Sequence, residues 1–201
     1  MFLDTSTNVQ FLFRWFHFIF GILWIGHLYF FNFVNGNFQA QLDAATKQKV
    51  VPELMPRALF WFRWGAMITL LTGYGILIWK YWIATTGGMS ALMASSYGHW
   101  ISLGALFGTI MWFNVWFIIW PAQKKIIAAV KAGEKPDAAR VERARKASKL
   151  NTFLSIPLLF AMGAASHYPA SNWVLIGGAV VVGFLIAQIL FKVAPKVGKI
   201  S

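Results

Sequence analysis

The stretch VQFLFRWFHFIFGILWIGHLYFFNFV, residues 9–34, decides the fold. It carries one formal charge, Arg14, in a run longer than the ~20 apolar residues that carry a helix across a ~30 Å hydrocarbon core. A soluble domain of 201 residues has no interior able to hide such a run. Four more stretches repeat the pattern: residues 58–83 after Pro56-Arg57, 98–120 up to Pro121, 150–168 up to Pro169 and containing Pro157, and 171–191. The expected fold is an all-α polytopic transmembrane bundle of five spans in a single integral membrane domain, residues 1–201. Composition agrees: 58% of residues are hydrophobic and only 12% charged, against about 25% charged in ordinary soluble domains. Cysteine is absent, which excludes iron–sulfur clusters, thiolate zinc sites and covalently attached c-type haem.

The net charge of +12 would suggest nucleic acid in a soluble protein. Here the positive charge sits between the apolar runs, so no nucleic-acid role is expected. Residues 121–149, the link between the third and fourth spans, hold Lys124, Lys125, Lys131, Lys135, Arg140, Arg143, Arg145, Lys146 and Lys149. Residues 130–150 are rich in good helix formers, so this link is expected to be partly helical. Lys47 and Lys49, with Arg57 and Arg63, precede or open the second span, and Lys192, Lys196 and Lys199 form the tail. Residues 1–10, 85–97 and 169–172 are free of Lys and Arg, and Lys80 is the nearby exception. By the positive-inside rule this alternation places the N-terminus outside and the C-terminus in the cytoplasm. Without a basic residue, the first ten residues do not read as a cleaved signal peptide. Trp79, Trp82, Trp100, Trp120 and Trp173 lie near span ends, as in an interfacial aromatic belt.

Ionisable side chains inside a membrane span are functional candidates. His17 lies in the outward part of the first span, His99 in the first turn of the third and His167 in the last turn of the fourth. These three histidines therefore share one level of the bilayer. His27 is ten residues beyond His17, ~15 Å deeper at ~1.5 Å per residue, and is expected to pack or hydrogen-bond. Facing imidazoles are how helix bundles hold haem iron, and zinc or copper could use the same three histidines. No carboxylate lies within the spans, which argues against a hydrolytic metal site. Gly21, Gly104, Gly108 and Gly163 leave room for a flat macrocycle or for close helix packing. Arg14, one turn from His17, suits either snorkelling or pairing with a haem propionate. The expected cofactor is one b-type haem held by His17 and one of His99 and His167. A cofactor-free structural subunit is the alternative.

Arg14-Trp15-Phe16-His17 with Gly21-Ile22-Leu23-Trp24-Ile25-Gly26 resembles the first membrane helix of the PuuD-type urate oxidase membrane domain. Phe62-Arg63-Trp64-Gly65-Ala66 with Thr72-Gly73 is similar to that family's second helix. Met111-Trp112-Phe113-Asn114-Val115-Trp116 with Ile119-Trp120-Pro121-Ala122-Gln123-Lys124-Lys125 resembles its most distinctive motif, and Asn151 to Pro157 with Ser166-His167 a later helix. The span-three motif argues against a haem-biosynthetic oxidase, which shares a helix-one histidine. The resemblance implies a multi-pass redox protein of the bacterial inner membrane, handling electrons from urate oxidation, with His17 and His167 as the haem-iron ligands. Family members join a cytochrome c domain to this part; these residues contain no C-x-x-C-H. A separate periplasmic cytochrome c or other redox subunits are therefore the expected partners, alongside membrane lipid. A complete membrane oxidase of urate or another small reductant is the alternative.

Overall fold

The computed structural model describes residues 4–84 and 87–198. Lys199 of the basic tail, the first three residues, and Thr85 and Thr86 of the non-basic link lie outside the described residues. The described chain is helical: α1 (Thr5–Gln41), α2 (Ala44–Ile83), the short α3 (Gly88–Met93), α4 (Ser96–Lys131), α5 (Ala138–His167) and α6 (Trp173–Lys196). All but α3 are long and apolar enough to cross a membrane. The side chains of Asp4, Asp43, Ser95, Asp137 and Asn172 each accept a backbone N–H in the first turn of these five helices. Those bonds satisfy donors that a helix start otherwise leaves bare.

The helices overrun the expected spans, and the reason is how proline is accommodated. α2 begins at Ala44 and passes through Pro52 and Pro56, because Val51, Met55 and Leu59 of that stretch are buried in the main core. Each proline removes one hydrogen bond, while tertiary packing supplies most helical stability. Pro121 was expected to close the third helix but does not. A π-helical stretch, Asn114–Ile119, precedes it, so Pro121 falls in the first turn of resumed α-helix, where a missing N–H matters least. At 36 residues, α4 is ~54 Å long, well beyond the ~30 Å hydrocarbon layer. The link at 121–149 is thus the end of α4, a turn at 132–137 and the start of α5, and its positive charge rides largely on helix.

α1 runs along α2, α4 along α5, and α5 along α6, with α1 also touching α5. The α1–α2 approach is close enough that a Cβ on Gly65 would stand 3.0 Å from the backbone nitrogen of Trp24. Likewise Gly183 of α6 admits the ring of Pro157, whose nitrogen would be 2.9 Å from an added Cβ. The main core, with Trp24, Leu28, Leu59, Phe62, Met111 and Val115, fills the half of the bundle nearer the turns at 42–43 and 132–137; this is called the basic end below. Within it Asn114 donates to Asn151 (2.7 Å) and Asn151 donates to the Met111 carbonyl (2.9 Å). One expectation for the aromatics is corrected. Trp100 is fully buried and donates to the Ala170 carbonyl at 3.0 Å, so it packs inside the bundle rather than facing an interface. Trp82 and Trp173 are exposed.

Candidate functional site

The other half of the bundle, toward Asp4, does not close. α1, α2, α4 and α5 surround a cavity of about 620 Å³, within the ~300–1,000 Å³ usual for cofactor and ligand pockets. Its walls are almost wholly apolar; the polar exceptions are Arg14, His17, Thr69, Tyr74, Tyr97 and Ser166. From Arg14 to Gly26 the lining follows α1 over thirteen residues, ~18 Å of helix.

His17 is the cavity's only histidine among the described residues. Its Nδ1 donates to the Thr69 carbonyl at 2.9 Å. A carbonyl only accepts, so the bond places the proton on Nδ1 and leaves the lone pair on Nε2, the arrangement that metal-binding imidazoles use. The seat is specific. A Cβ on Gly73 would stand 3.0 Å from His17 Cε1 and 3.3 Å from Nδ1, so a larger residue there would press the ring by a few tenths of an ångström. Thr72 Oγ1 lies 3.4 Å from the same nitrogen and donates to the Ile68 carbonyl. The Thr72-Gly73 pair thus acts as a cradle for the imidazole.

Opposite walls carry further groups. Met162 of α5 lies over Gly104 of α4, where an added Cβ would meet its methyl at 2.7 Å. Trp24, 2% exposed, is among the lining residues, and its buried indole N–H has no hydrogen-bond partner among the described residues. Arg14 lines it one turn from His17, toward Asp4.

His99 and His167 are at the same end of the bundle but do not line the cavity. His99 is exposed, with Nδ1 2.7 Å from Ser171 Oγ; His167 is exposed at the end of α5. The reason is azimuth. On α4 the lining residues are Tyr97, Ile101, Gly104, Ala105 and Gly108, a single helical face. At about 100° per residue, His99 points to the other side. On α5 the lining runs Leu158, Leu159, Met162, Ala165 and Ser166, and His167 is one step off that face. His27 donates from Nδ1 to the Leu23 carbonyl of its own helix at 2.7 Å. Among the described residues no three His, Asp or Glu side chains group so as to hold a bare metal ion.

A family model described as urate oxidase N-terminal matches residues 42–96 and 86–199. The chain belongs to that family. No curated protein and no solved structure matches it. The match takes in the helices that seat His17, together with His99 and His167, while α1 with Arg14 and His17 precedes it. Within this urate oxidase N-terminal chain the motif strings have physical roles. Gly65 admits the backbone of α1 and Gly73 admits His17. Asn114 and Asn151 join α4 to α5. Arg63, expected among the charges at the mouth of the second span, lies 4.0 Å over the Trp120 ring and 5.7 Å from that of Trp116. Trp116 in turn donates to the Arg63 carbonyl.

Proposed function

We propose that this member of the urate oxidase N-terminal family is a haem b protein of the bacterial inner membrane. It relays electrons toward a separate periplasmic c-type cytochrome or a larger redox complex. The observation that carries the reading is one imidazole, with Nδ1 tied to a backbone carbonyl and Nε2 left as the basic nitrogen, in the wall of a cofactor-sized apolar cavity between four helices. The residues present fit a b-type haem. His17 would be the iron ligand, the apolar faces of α4 and α5 would take the macrocycle, and Arg14 would be the cation for a propionate. A bound haem would supply one-electron chemistry at its iron. The protein's own part is to hold the imidazole, exclude water and present the redox group near one membrane face. As a further residue that would hold the iron, the cavity offers Met162, whose thioether is an established iron ligand type. His167 and His99 need a change of helix face to reach it.

The test is the spectrum of the detergent-purified chain, oxidised and then reduced. The reading requires a b-type Soret and α band, and reoxidation of the reduced form by a soluble c-type cytochrome. Direct reduction of the oxidised spectrum by urate would assign it instead to a complete urate oxidase. A chain without visible absorption, even after haem is supplied, would leave it a structural subunit.

A further inference from the structure

Motif residues that the His17 site leaves unused meet in the other half of the bundle, where α2 faces α4. The Arg63 guanidinium of α2 stands 4.0 Å from the centre of the Trp120 ring, 5.7 Å from that of Trp116 and 5.9 Å from that of Phe60. Lys124, one turn beyond Trp120, has its Nζ 5.4 Å from the centre of the same Trp120 ring. The Trp116 indole fixes this pairing by donating to the Arg63 carbonyl at 3.2 Å. The Arg63 Nε is buried and has no hydrogen-bond partner among the described residues. Ion pairs among the described residues join Arg57 to Glu53, Arg140 to Asp137, and both Arg145 and Lys146 to Glu142, so no carboxylate pairs with Arg63 or Lys124. Along α2 the nearest acid, Glu53, is ~15 Å away and is held by Arg57. Stacking on rings satisfies the face of a guanidinium but leaves its in-plane N–H groups for an acceptor. Arg63 lies inside the apolar run 58–83, where a cation without an anion is costly. Phe60 and Trp64 are exposed, and Trp64 meets Trp116 edge-on at 5.5 Å, so the aromatic walls of this place open outward from the bundle.

We propose that Arg63 and Lys124, gathered at the Trp120 ring between α2 and α4, bind the phosphate of an anionic phospholipid from the leaflet at the basic end. The planar fork of Arg63 suits two phosphate oxygens. Lys124 is exposed and adds a point charge from the headgroup side. The exposed rings of Phe60 and Trp64 give the acyl chains an apolar wall. A lipid is the occupant because these walls open outward along an apolar run. Charge selects its kind: two cations without an acid favour a net negative headgroup, whereas a headgroup with its own ammonium brings like charge to the site. One lipid thus belongs to one place, apart from the diffuse attraction of the other basic residues.

The experiment is native mass spectrometry of the full chain in detergent, titrated with dioleoyl phosphatidylglycerol or with dioleoyl phosphatidylcholine. The wild type should bind its first phosphatidylglycerol about tenfold more tightly than phosphatidylcholine, the weight of one charge-assisted bond. Arg63→Met and Lys124→Met should each lose most of that preference. Lys135→Met, which removes an exposed cation of the turn at 132–137, should keep it. Because Lys124 is exposed, its variant tests the site even where Arg63→Met fails to fold. Equal affinity of the wild type for both lipids overturns the site, as does a preference that survives either of the first two substitutions. An equal loss in all three variants assigns the preference to diffuse positive charge and likewise overturns it.

Discussion

A glycine decides where the histidine sits. At Gly73 a methyl group would press on His17 Cε1 at 3.0 Å and on Nδ1 at 3.3 Å, moving the ring off the Thr69 carbonyl. Gly73→Ala is therefore expected to lower haem occupancy and shift the Soret band. Gly163→Ala, where nothing lies within 4 Å of the new Cβ, should leave the spectrum unchanged and raise thermal stability by up to ~1 kcal/mol from helix propensity. Equal spectra for the two variants would remove Gly73 from the site. Arg63 has a different kind of role. Its guanidinium rests on Trp120 at 4.0 Å, a cation–π contact of ~0.5–2 kcal/mol. Arg63→Met should lower the unfolding temperature and alter Trp emission without touching the haem spectrum. A haem change in that variant would show that Arg63 acts on the site.

At the scale of elements, polar side chains specify how the helices start and how they pair. Asn114 and Asn151 form a buried bond between α4 and α5. Asn151→Leu leaves both the Asn114 amide and the Met111 carbonyl without that partner, which is expected to cost ~1–3 kcal/mol. Asn114→Leu with Asn151→Leu should be less damaging than the sum of the single changes, and a denaturation double-mutant cycle measures the difference. Additive losses would mean that the pair carries no coupling. Asp43 caps α2, and the Thr46 hydroxyl and backbone N–H hold its carboxylate below the usual carboxylate range. A depressed carboxyl stabilises the fold above its unfolded pKa and loses that contribution as pH falls through the folded value. The stability gap between wild type and Asp43→Ala should thus be full at neutral pH and vanish under strong acid. A gap independent of pH would assign the effect to something other than the carboxylate.

On the scale of the whole molecule, the bundle has a packed half and a hollow half, and the sequence shows the two unequally. Five apolar runs such as residues 9–34 are plain from hydropathy. Their true ends were hidden because Pro56 and Pro121 read as boundaries, whereas core burial and a π-helical stretch let the helices continue. His17 and Arg14 were legible as ionisable residues inside an apolar run. Depth along the chain placed His99 and His167 beside them, but depth carries no azimuth, and the helical face running from Tyr97 to Gly108 excludes His99. Met162, Trp24 and the Thr72-Gly73 cradle had no charge to announce them, and only the facing of four helices brings them together. Orientation is testable in this cysteine-free chain. Cysteines placed at the exposed positions Ser90 and Lys135 should react with an impermeant reagent from opposite sides, Ser90 from the periplasm. Labelling of both from one side would refute the alternation of basic and non-basic ends.

The central claim is that this cavity holds haem through His17. The most direct measurement is the haem-to-chain ratio, with oxidised and reduced spectra, of wild type and His17→Ala purified side by side. One b-type haem per wild-type chain is expected, with loss of that haem or of its low-spin spectrum in His17→Ala and no change in His27→Ala. A wild type that takes up no haem, or a His17→Ala protein that keeps the wild-type spectrum at full occupancy, would contradict it.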